Sequence, residues 1–250
     1  MGMSHAHADR KDGCMKYKRV LLKLSGEALA GQTDGLYDRA FMAKIAQEFR
    51  ICLDRGMQIG VIVGAGNIWR GREGADMDRC RADSMGMLAT VINAIALQDA
   101  LLRAGIPARV MTATPMAPHA ELFTPQEAVA ALERGEVVIF GGGLGQAFFS
   151  TDTAASLRAA QIDADAILLA KNIDGIYDRD PHGPEGDLAK KFDTVSCSRI
   201  VSGKLHAIDL TAAALNMESG IPAVAFALSD EGSILRAAAG EPIGTVITPD

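Results

Sequence analysis

Residues 19–29 read RVLLKLSGEAL, a short apolar stretch that runs into a serine–glycine turn. The apolar part, residues 19–24, predicts a buried β-strand. Two later stretches end in the same way, with residues 59–63 followed by GAGN and residues 137–140 followed by GGGLG. A strand that ends in a glycine-bearing turn is typical of sheets in which strands alternate with helices. These stretches therefore favour the α/β class.

Helical patterns separate the strands. Apolar residues recur at helical spacing over residues 39–53 and 84–103, and Thr124-Pro125-Gln126-Glu127 has the cap, proline and glutamate of a helix start. We expect the buried face of the second helix to consist of Met87, Leu88, Val91, Ile92, Ile95 and Leu102. Thr151 or Asp152 is expected to cap a later helix. The alternation predicts an α/β fold, a three-layer αβα sandwich with a mostly parallel central sheet.

Composition limits the classes of protein. The chain has 250 residues, 48% of them hydrophobic, and a net charge of −6. This indicates a folded globule and argues against nucleic acid or an anionic membrane as a bulk partner. No uncharged apolar run reaches about 18 residues, so no membrane span is expected. The four cysteines form no Cys-x-x-Cys pair, which favours reduced thiols in the cytoplasm. Residues 1–16 are interpreted as a flexible tail and residues 17–250 as one domain.

Lysines and glycine turns are predicted to meet at one edge of the sheet. In open α/β sheets, ligands bind beyond the carboxyl ends of the strands. Lys23 and Lys171 lie at such ends and supply positive charge, and the glycine turns expose backbone N–H groups. A fourth predicted strand, residues 166–170, is followed by KNIDG. One glycine turn alone is most often a simple connection, but four such strand ends favour a phosphate site. The P-loop and dinucleotide-binding glycine patterns are absent from their usual positions.

At this point the sequence resembles a known family. Residues 23–29 (KLSGEAL) look like the N-terminal signature of the bacterial uridylate kinases, which belong to the amino acid kinase family. Further blocks follow in the family's order: residues 64–71 (GAGNIWRG), 83–90 (DSMGMLAT), 148–155 (FFSTDTAA), 171–181 (KNIDGIYDRDP), 208–210 (IDL) and 244–247 (GTVI). The 83–90 block points to the UMP-specific branch.

The resemblance implies phosphoryl transfer from ATP to UMP, giving UDP for pyrimidine nucleotide synthesis. Magnesium would be held mainly by the ATP phosphates, without an assigned protein ligand. The implied catalytic residues are Lys23, Arg70 and Asp152. The implied ATP-binding residues are Lys23, Leu24, Ser25, Gly26, Gly66, Arg70, Lys171, Asn172, Tyr177 and Asp180. The implied UMP-binding residues are Gly64, Ala65, Asp83, Leu144, Gly145, Gln146, Ala147, Phe148, Phe149, Ser150 and Thr151. Acceptor residues would thus come from residues 17–165 and much of the ATP site from residues 166–250.

Physical chemistry agrees with this scheme. The acceptor is a phosphate oxygen that is already ionised near pH 7, so direct in-line transfer needs no general base. Two aspartates keep alternative roles at this stage. Asp83 is interpreted either as a partner of the ribose hydroxyls or as the cap of the helix that follows it. Asp209 is interpreted either as a helix cap or as a charge partner at the rim of the site.

The resemblance also implies regulation and assembly. Members form homohexamers, and many respond to GTP and UTP, with GTP regulation expected at Gly31, Gln32, Thr33, Asp34, Gly35 and Leu36. The chain departs from the family pattern at Ala65, Leu144, Gln146 and Ala147, all in the expected acceptor pocket. Two alternatives stay open, namely a related kinase with a carboxylate or carbamate acceptor and a nucleotide-binding sensor.

Overall fold

The computed structural model describes residues 15–31, 33, 35–69, 76–181, 183, 186–203, 205, 208–228 and 232–250. In chain order the elements are β1 (Arg19–Leu24), α1 (Gly26–Ala30), α2 (Arg39–Asp54), β2 (Gln58–Val63), α3 (Arg79–Arg103), β3 (Ala108–Thr112), β4 (Glu121–Leu122), α4 (Pro125–Glu133), β5 (Val137–Gly141), α5 (Thr151–Gln161), β6 (Ala166–Lys171), β7 (Ile176–Tyr177), β8 (Lys191–Phe192), β9 (Thr194–Ser196), α6 (Cys197–Gly203), α7 (Leu210–Ser219), β10 (Ala223–Ala227), α8 (Ser233–Ala239) and β11 (Gly244–Thr248). A 3₁₀ turn covers Gly186–Leu188.

A nine-stranded sheet forms the centre, in the order β4-β3-β5-β2-β1-β6-β10-β11-β9. Neighbouring strands are parallel except for the β10–β11 pair, which is antiparallel. The predicted mostly parallel sheet is therefore confirmed. Because β1, β2, β5 and β6 are parallel and lie side by side, their carboxyl ends share one edge.

Helices cover both faces of the sheet. Along β1 the side chains of Val20, Leu22 and Leu24 pack into one hydrophobic cluster, whereas Leu21 packs into the cluster on the other face. This alternation follows from the two-residue period of a strand. The first cluster includes residues of α2, α3 and α8, and the second includes residues of α4, α5, α6 and α7. The predicted αβα sandwich is correct.

Helix α3 differs from its prediction at its start and in its buried face. It begins at Arg79 rather than residue 84, because the Asp78 side chain accepts a hydrogen bond from the Arg81 N–H and caps it. Of the side chains expected inside, Val91 is buried, Met87 is half-buried, and the following are exposed: Leu88, Ile92, Ile95 and Leu102. Apolar periodicity counts hydrophobic residues but does not consider their size. Most of the side chains that α3 buries are small, with Leu97 and Leu101 as the large exceptions, because α3 lies close to β5, where a Cβ on Gly141 would meet Val91 Cγ2 at 3.2 Å.

Other differences are local. Helix α5 is capped by Ser150, not by Thr151 or Asp152, and its hydroxyl accepts from the N–H groups of Asp152 and Thr153. Residues 172–187, whose Asp, Gly and Pro content predicts an irregular stretch, contain β7, which pairs with β8 in a separate antiparallel sheet. Of the predicted tail, residues 1–14 lie outside the described residues, and Met15 packs against the core. Among the described residues, α3 alone is long and apolar enough to cross a membrane by composition, and it packs against β3 and β5.

Candidate active site

The turns after β1 and β2 touch each other at the shared edge. Ser25 caps α1, its hydroxyl accepting from the Ala28 N–H at 3.2 Å. A Cβ on Gly26 would lie 2.6 Å from Gly64 O, Gly66 N and Asn67 Oδ1, so only glycine allows this approach. These glycines, predicted to lie at the site, are brought together there. Leu24, also predicted there, has its side chain fully buried in the core.

Lys23 and Asp152 form an ion pair at the centre of the edge. Their Nζ and Oδ1 atoms are 3.0 Å apart, and the side chains are 15% and 17% exposed. Lys171 is the last residue of β6 and lies near this pair. Burial lowers the pKa of Lys171, the charge of Lys23 lowers it further, and the charges of Asp152 and Asp209 raise it. The ion pair is consistent with the predicted neighbouring roles of Lys23 and Asp152.

Asp209 is a charge partner in this cluster. It occupies the N-cap position of α7 but makes no capping hydrogen bond with its side chain. Instead, its carboxylate accepts a short hydrogen bond from the Ser150 hydroxyl. Burial raises the pKa of Asp209, Asp152 raises it further, and Lys23 and Lys171 oppose the shift. Of its two interpretations, the structure supports the charge partner. We name Lys23, Lys171, Asp152 and Asp209 the charged cluster.

A pocket of about 240 Å³ opens beside the charged cluster. Its lining includes these residues predicted to bind the acceptor: Ala65, Asp83, Leu144, Gln146, Phe149, Ser150 and Thr151. Gly66, predicted on the ATP side, lines it as well. The lining residues that sequence reasoning missed are Trp69, Ala82, Gly86, Met87, Thr90 and Gly143. Most of these lie in or next to the 64–71 and 83–90 sequence blocks. Their position in these blocks could therefore have identified them as candidate lining residues. Gly64, Gly145, Ala147 and Phe148 adjoin this lining in sequence without belonging to it.

Asp83 presents its carboxylate at the pocket wall. Because it lies within α3, beyond the Asp78 cap, its interpretation as a helix cap was wrong. Arg79 Nε donates to both carboxylate oxygens at 2.9 and 2.8 Å, and the Phe148 N–H donates to Oδ2 at 2.8 Å. Desolvation raises the pKa of Asp83, but these hydrogen bonds outweigh it and the net shift is downward. Asp83 is thus held as an anion that accepts hydrogen bonds.

Two side chains position the glycine turn after β5. The Thr90 hydroxyl accepts from the Gly142 N–H at 2.9 Å and donates to the Met87 carbonyl at 2.7 Å. The Arg158 guanidinium donates to the Gly143 carbonyl at 3.4 Å and lies over the Phe123 ring at 3.9 Å. Burial lowers the pKa of Arg158 to about 10, so it stays charged near pH 7. Sequence reasoning identified neither residue.

The residues predicted on the adenine side follow β6. Tyr177 donates its hydroxyl to Asp174 Oδ1 at 2.7 Å, and Lys191 Nζ lies 2.9 Å from Asp174 Oδ2. Lys171 belongs to the charged cluster, whereas Asn172 and Asp180 are exposed on the same segment. The structure therefore brings Lys171 into the charged cluster, and Asn172, Tyr177 and Asp180 follow it along the chain after β6.

Part of the predicted effector segment is described. Gly31 ends α1 with φ of 57°, Thr33 Oγ1 donates to the Ala30 carbonyl at 3.0 Å, and the Leu36 carbonyl accepts from Asn67 Nδ2 at 3.0 Å. Gly35 lies between them in a bend. Gln32 and Asp34 lie outside the described residues, as does the predicted catalytic Arg70.

The arrangement suits a phosphate ligand with a divalent ion. The charged cluster pairs two ammonium groups with two carboxylates next to the N-terminus of α5, where backbone N–H groups favour anions. Within the described residues no group of three or more His, Cys, Asp or Glu forms a metal site of its own. Phosphate oxygens would therefore have to complete the shell of any magnesium ion bound here.

Known proteins match this fold over nearly the whole chain. The crystal structure of UMP kinase from Bacillus anthracis is 36% identical, with a TM-score of 0.88, covering 94% of this chain and 97% of that one. UMP kinase from Ureaplasma parvum is 30% identical, with a TM-score of 0.86, covering 94% and 100%. Uridylate kinase from Archaeoglobus fulgidus is 27% identical, with a TM-score of 0.69, covering 92% and 99%.

A family model agrees with these structural matches. The model described as the amino acid kinase family matches residues 18–226, which is most of the chain. The matched range includes β1, the glycine turns and all four residues of the charged cluster. The chain therefore belongs to the amino acid kinase family.

Proposed function

We propose that this protein is a UMP kinase that transfers the γ-phosphoryl group of ATP to UMP, giving UDP and ADP for pyrimidine nucleotide synthesis. The observation that carries the proposal is the pocket bounded by Asp83 and the start of α5, which opens beside the Lys23–Asp152 ion pair. It provides an acceptor site next to the positive charge that the transferred group requires. The likeness to two UMP kinases at 30% identity or more supports the choice of acceptor.

Each part of the site has a role in phosphoryl transfer. Lys23 and Lys171 neutralise charge that develops on the transferred group, and the N-terminus of α5 holds the phosphate of UMP. Asp83 accepts hydrogen bonds from the ribose hydroxyls, because its carboxylate oxygens are acceptors only. Magnesium, bound with ATP, adds charge neutralisation between the donor phosphates. Asp152 and Asp209 are the carboxylates of the charged cluster that would face this ion.

Positioning replaces acid–base chemistry in this scheme. The attacking oxygen of UMP is ionised near neutral pH, so the transfer proceeds in line without a general base. Arg70, which follows Trp69 in the chain, is proposed as a further cation for the donor phosphates. Lys23, Ser25, Gly26 and Gly66 are proposed to contact these phosphates, and Asn172, Tyr177 and Asp180 to frame the adenosine.

The pocket favours a nucleotide over a small acid. A carboxylate or carbamate acceptor would meet the anionic Asp83, whereas ribose hydroxyls donate to it. Phe149 supplies an aromatic wall for a base. Assembly as a homohexamer, control by GTP and UTP, and a cytoplasmic location belong to the proposal by resemblance to the family.

A coupled assay of ADP release tests the acceptor. The protein is supplied with ATP and magnesium and with UMP, dUMP, CMP, carbamate, aspartate or glutamate in turn. We expect release with UMP and much slower release with the other acceptors. Release only with carbamate or an amino acid would overturn the acceptor assignment. ATP binding without release on any acceptor would favour a nucleotide sensor.

A further inference from the structure

Two asparagines, the buried Asn93 and the half-buried Asn67, form an amide pair at the turn after β2. Asn93, on α3, is fully buried, which is unusual for an amide in the middle of an apolar helix face. Its Nδ2 donates to Asn67 Oδ1 at 2.8 Å, and Asn67 Nδ2 donates back to Asn93 Oδ1 at 3.1 Å. Burying an amide costs free energy unless its hydrogen bonds are made. The hydrogen-bond partners of Asn93 therefore indicate what this side chain does in the fold.

The pair is connected in two directions. Asn93 Nδ2 also donates to the Gly64 carbonyl at 2.7 Å, and the Tyr37 hydroxyl donates to Asn93 Oδ1 at 2.9 Å. Asn67 Nδ2 donates its second hydrogen to the Leu36 carbonyl at 3.0 Å. The backbone carbonyls of Gly64 and Leu36 can only accept hydrogen bonds, so each must face an amide nitrogen. This fixes which way the side-chain amides of Asn93 and Asn67 point. Both donors and the acceptor oxygen of Asn93 are satisfied.

The turn held by Asn93 is the one that contacts the Lys23 end of β1. Gly64 O and Asn67 Oδ1, both bonded to Asn93, lie so close to Gly26 that no side chain fits between them. Ala65 and Gly66 of the same turn line the candidate acceptor pocket. A shift of the Asn93 amide would therefore move the pocket wall and press on the turn that follows Lys23.

We propose that Asn93 is a positioning residue that fixes the Gly64–Gly66 turn for catalysis and couples it to the segment at Leu36 and Tyr37. This inference rests on the proposed function, because it assigns the turn a role in UMP phosphorylation. Asn93 contacts no substrate in this scheme. Its amide holds the Gly64 carbonyl by a hydrogen bond. It is linked to residues 36–37 by the Tyr37 hydroxyl and by Asn67, which also bonds the Leu36 carbonyl, so a change in the conformation of residues 36–37 would reach the turn through Asn93.

Kinetics of three variants test the proposal. Asn93→Leu keeps the number and branching of the side-chain heavy atoms but leaves the Gly64 carbonyl without its donor. We expect the KM for UMP to rise and kcat to fall, each by about tenfold or more. Tyr37→Phe removes one hydrogen bond and Asn67→Ala removes three, but both leave the bond from Asn93 to the Gly64 carbonyl in place and should have smaller effects. Since both act through Asn93, their combined effect should be less than the product of the single effects.

A core variant on the same helix separates positioning from stability. Leu97→Val truncates a fully buried side chain one turn beyond Asn93. It should lower Tm and leave KM for UMP unchanged. If Asn93→Leu shows only this pattern, Asn93 has a structural role and the proposal fails. If Asn93→Leu does not fold, the Tyr37→Phe and Asn67→Ala cycle decides, and multiplicative effects overturn the coupling.

A measurement made without substrate tests the positioning role of Asn93 separately from the proposed UMP kinase activity. Amide hydrogen exchange of a peptide covering residues 64–69 should be faster in Asn93→Leu than in Leu97→Val. Wild-type protein that fails to phosphorylate UMP overturns the proposed function, while exchange still tests whether Asn93 holds the turn. Unchanged exchange in Asn93→Leu contradicts the positioning role whatever the activity.

Discussion

Lys23 is a cation at the end of the most central described strand, with Asp152 as its partner at 3.0 Å. Replacing it by methionine keeps the aliphatic stem but removes the charge beside the transferred group. We expect Lys23→Met to lower kcat by about 10²–10³ or more, the effect of losing one electrostatic stabiliser. Steady-state kinetics measure this, with circular dichroism as the check on folding. Lys44→Met, on the exposed side of α2, is the matched control and should retain wild-type kcat.

Asp209 links charge in the site to stability. An aspartate whose folded pKa is raised stabilises the fold in its protonated form, below its unfolded pKa of about 3.9. That contribution is lost as pH rises through the folded pKa. Asp209→Asn should therefore gain Tm relative to wild type as the pH rises above about 4, because only the wild-type protein loses stability when this carboxyl group ionises. Thermal melts across this range measure the difference. A difference that narrows with rising pH would contradict the raised pKa.

At the scale of elements, two helix caps provide a matched pair. Thr124 caps α4, and Ser150 caps α5 while also donating to Asp209. Thr124→Ala and Ser150→Ala should each cost about 1 kcal/mol of unfolding free energy. Only Ser150→Ala should also raise KM for UMP, because α5 begins at the pocket. Urea unfolding and kinetics of both variants measure this. Equal kinetic effects would show that the start of α5 has no special role.

The elements show which patterns can be read from sequence. Thr124-Pro125-Gln126-Glu127 was predicted correctly as a helix start because its cap, proline and glutamate are local features. Apolar periodicity predicted the wrong buried face for α3. It could not show that mainly small residues face the sheet, or that Leu88 and Ile92 face outward. Helix α1 was missed because its five residues hold too little pattern, and packing of the turn against Gly26 determines it.

At the scale of the molecule, the outer face of α3 is apolar. Its exposed large apolar side chains are Met85, Leu88, Ile92, Ile95 and Leu102. Covering such an apolar stripe with a second copy of the chain would remove it from water, which is favourable. An interface at this stripe would agree with the proposed homohexamer. We expect Ile92→Glu to shift the protein to smaller assemblies, measured by light scattering. Lys44→Glu should keep the wild-type mass. An unchanged mass in Ile92→Glu would place any interface elsewhere.

The site was predictable to the extent that it follows strand ends. Lys23, Asp83, Ser150 and Lys171 were identified because they lie in ordered sequence blocks that the fold brings to one edge. Asn93 and Arg158 were missed because they lie inside helices, where their side chains look like interruptions of an apolar face. Thr90 was missed although it ends the 83–90 block, because nothing in the sequence shows that it contacts the turn after β5. Their purpose depends on which turn each one supports, and only tertiary structure supplies that contact.

The charged cluster also has a consequence for the capture of nucleotides. Its two lysines and two aspartates have a formal charge that sums to zero, and the whole chain carries −6. Such a cluster offers little long-range attraction to an approaching anion, so recognition relies on contacts made after arrival. Because MgATP and the whole chain are both anionic, salt screens a repulsion, so the association rate of MgATP, measured by stopped flow, should stay level or rise between about 0.01 and 0.15 M salt. A steep decline would reveal steering by charges outside the cluster.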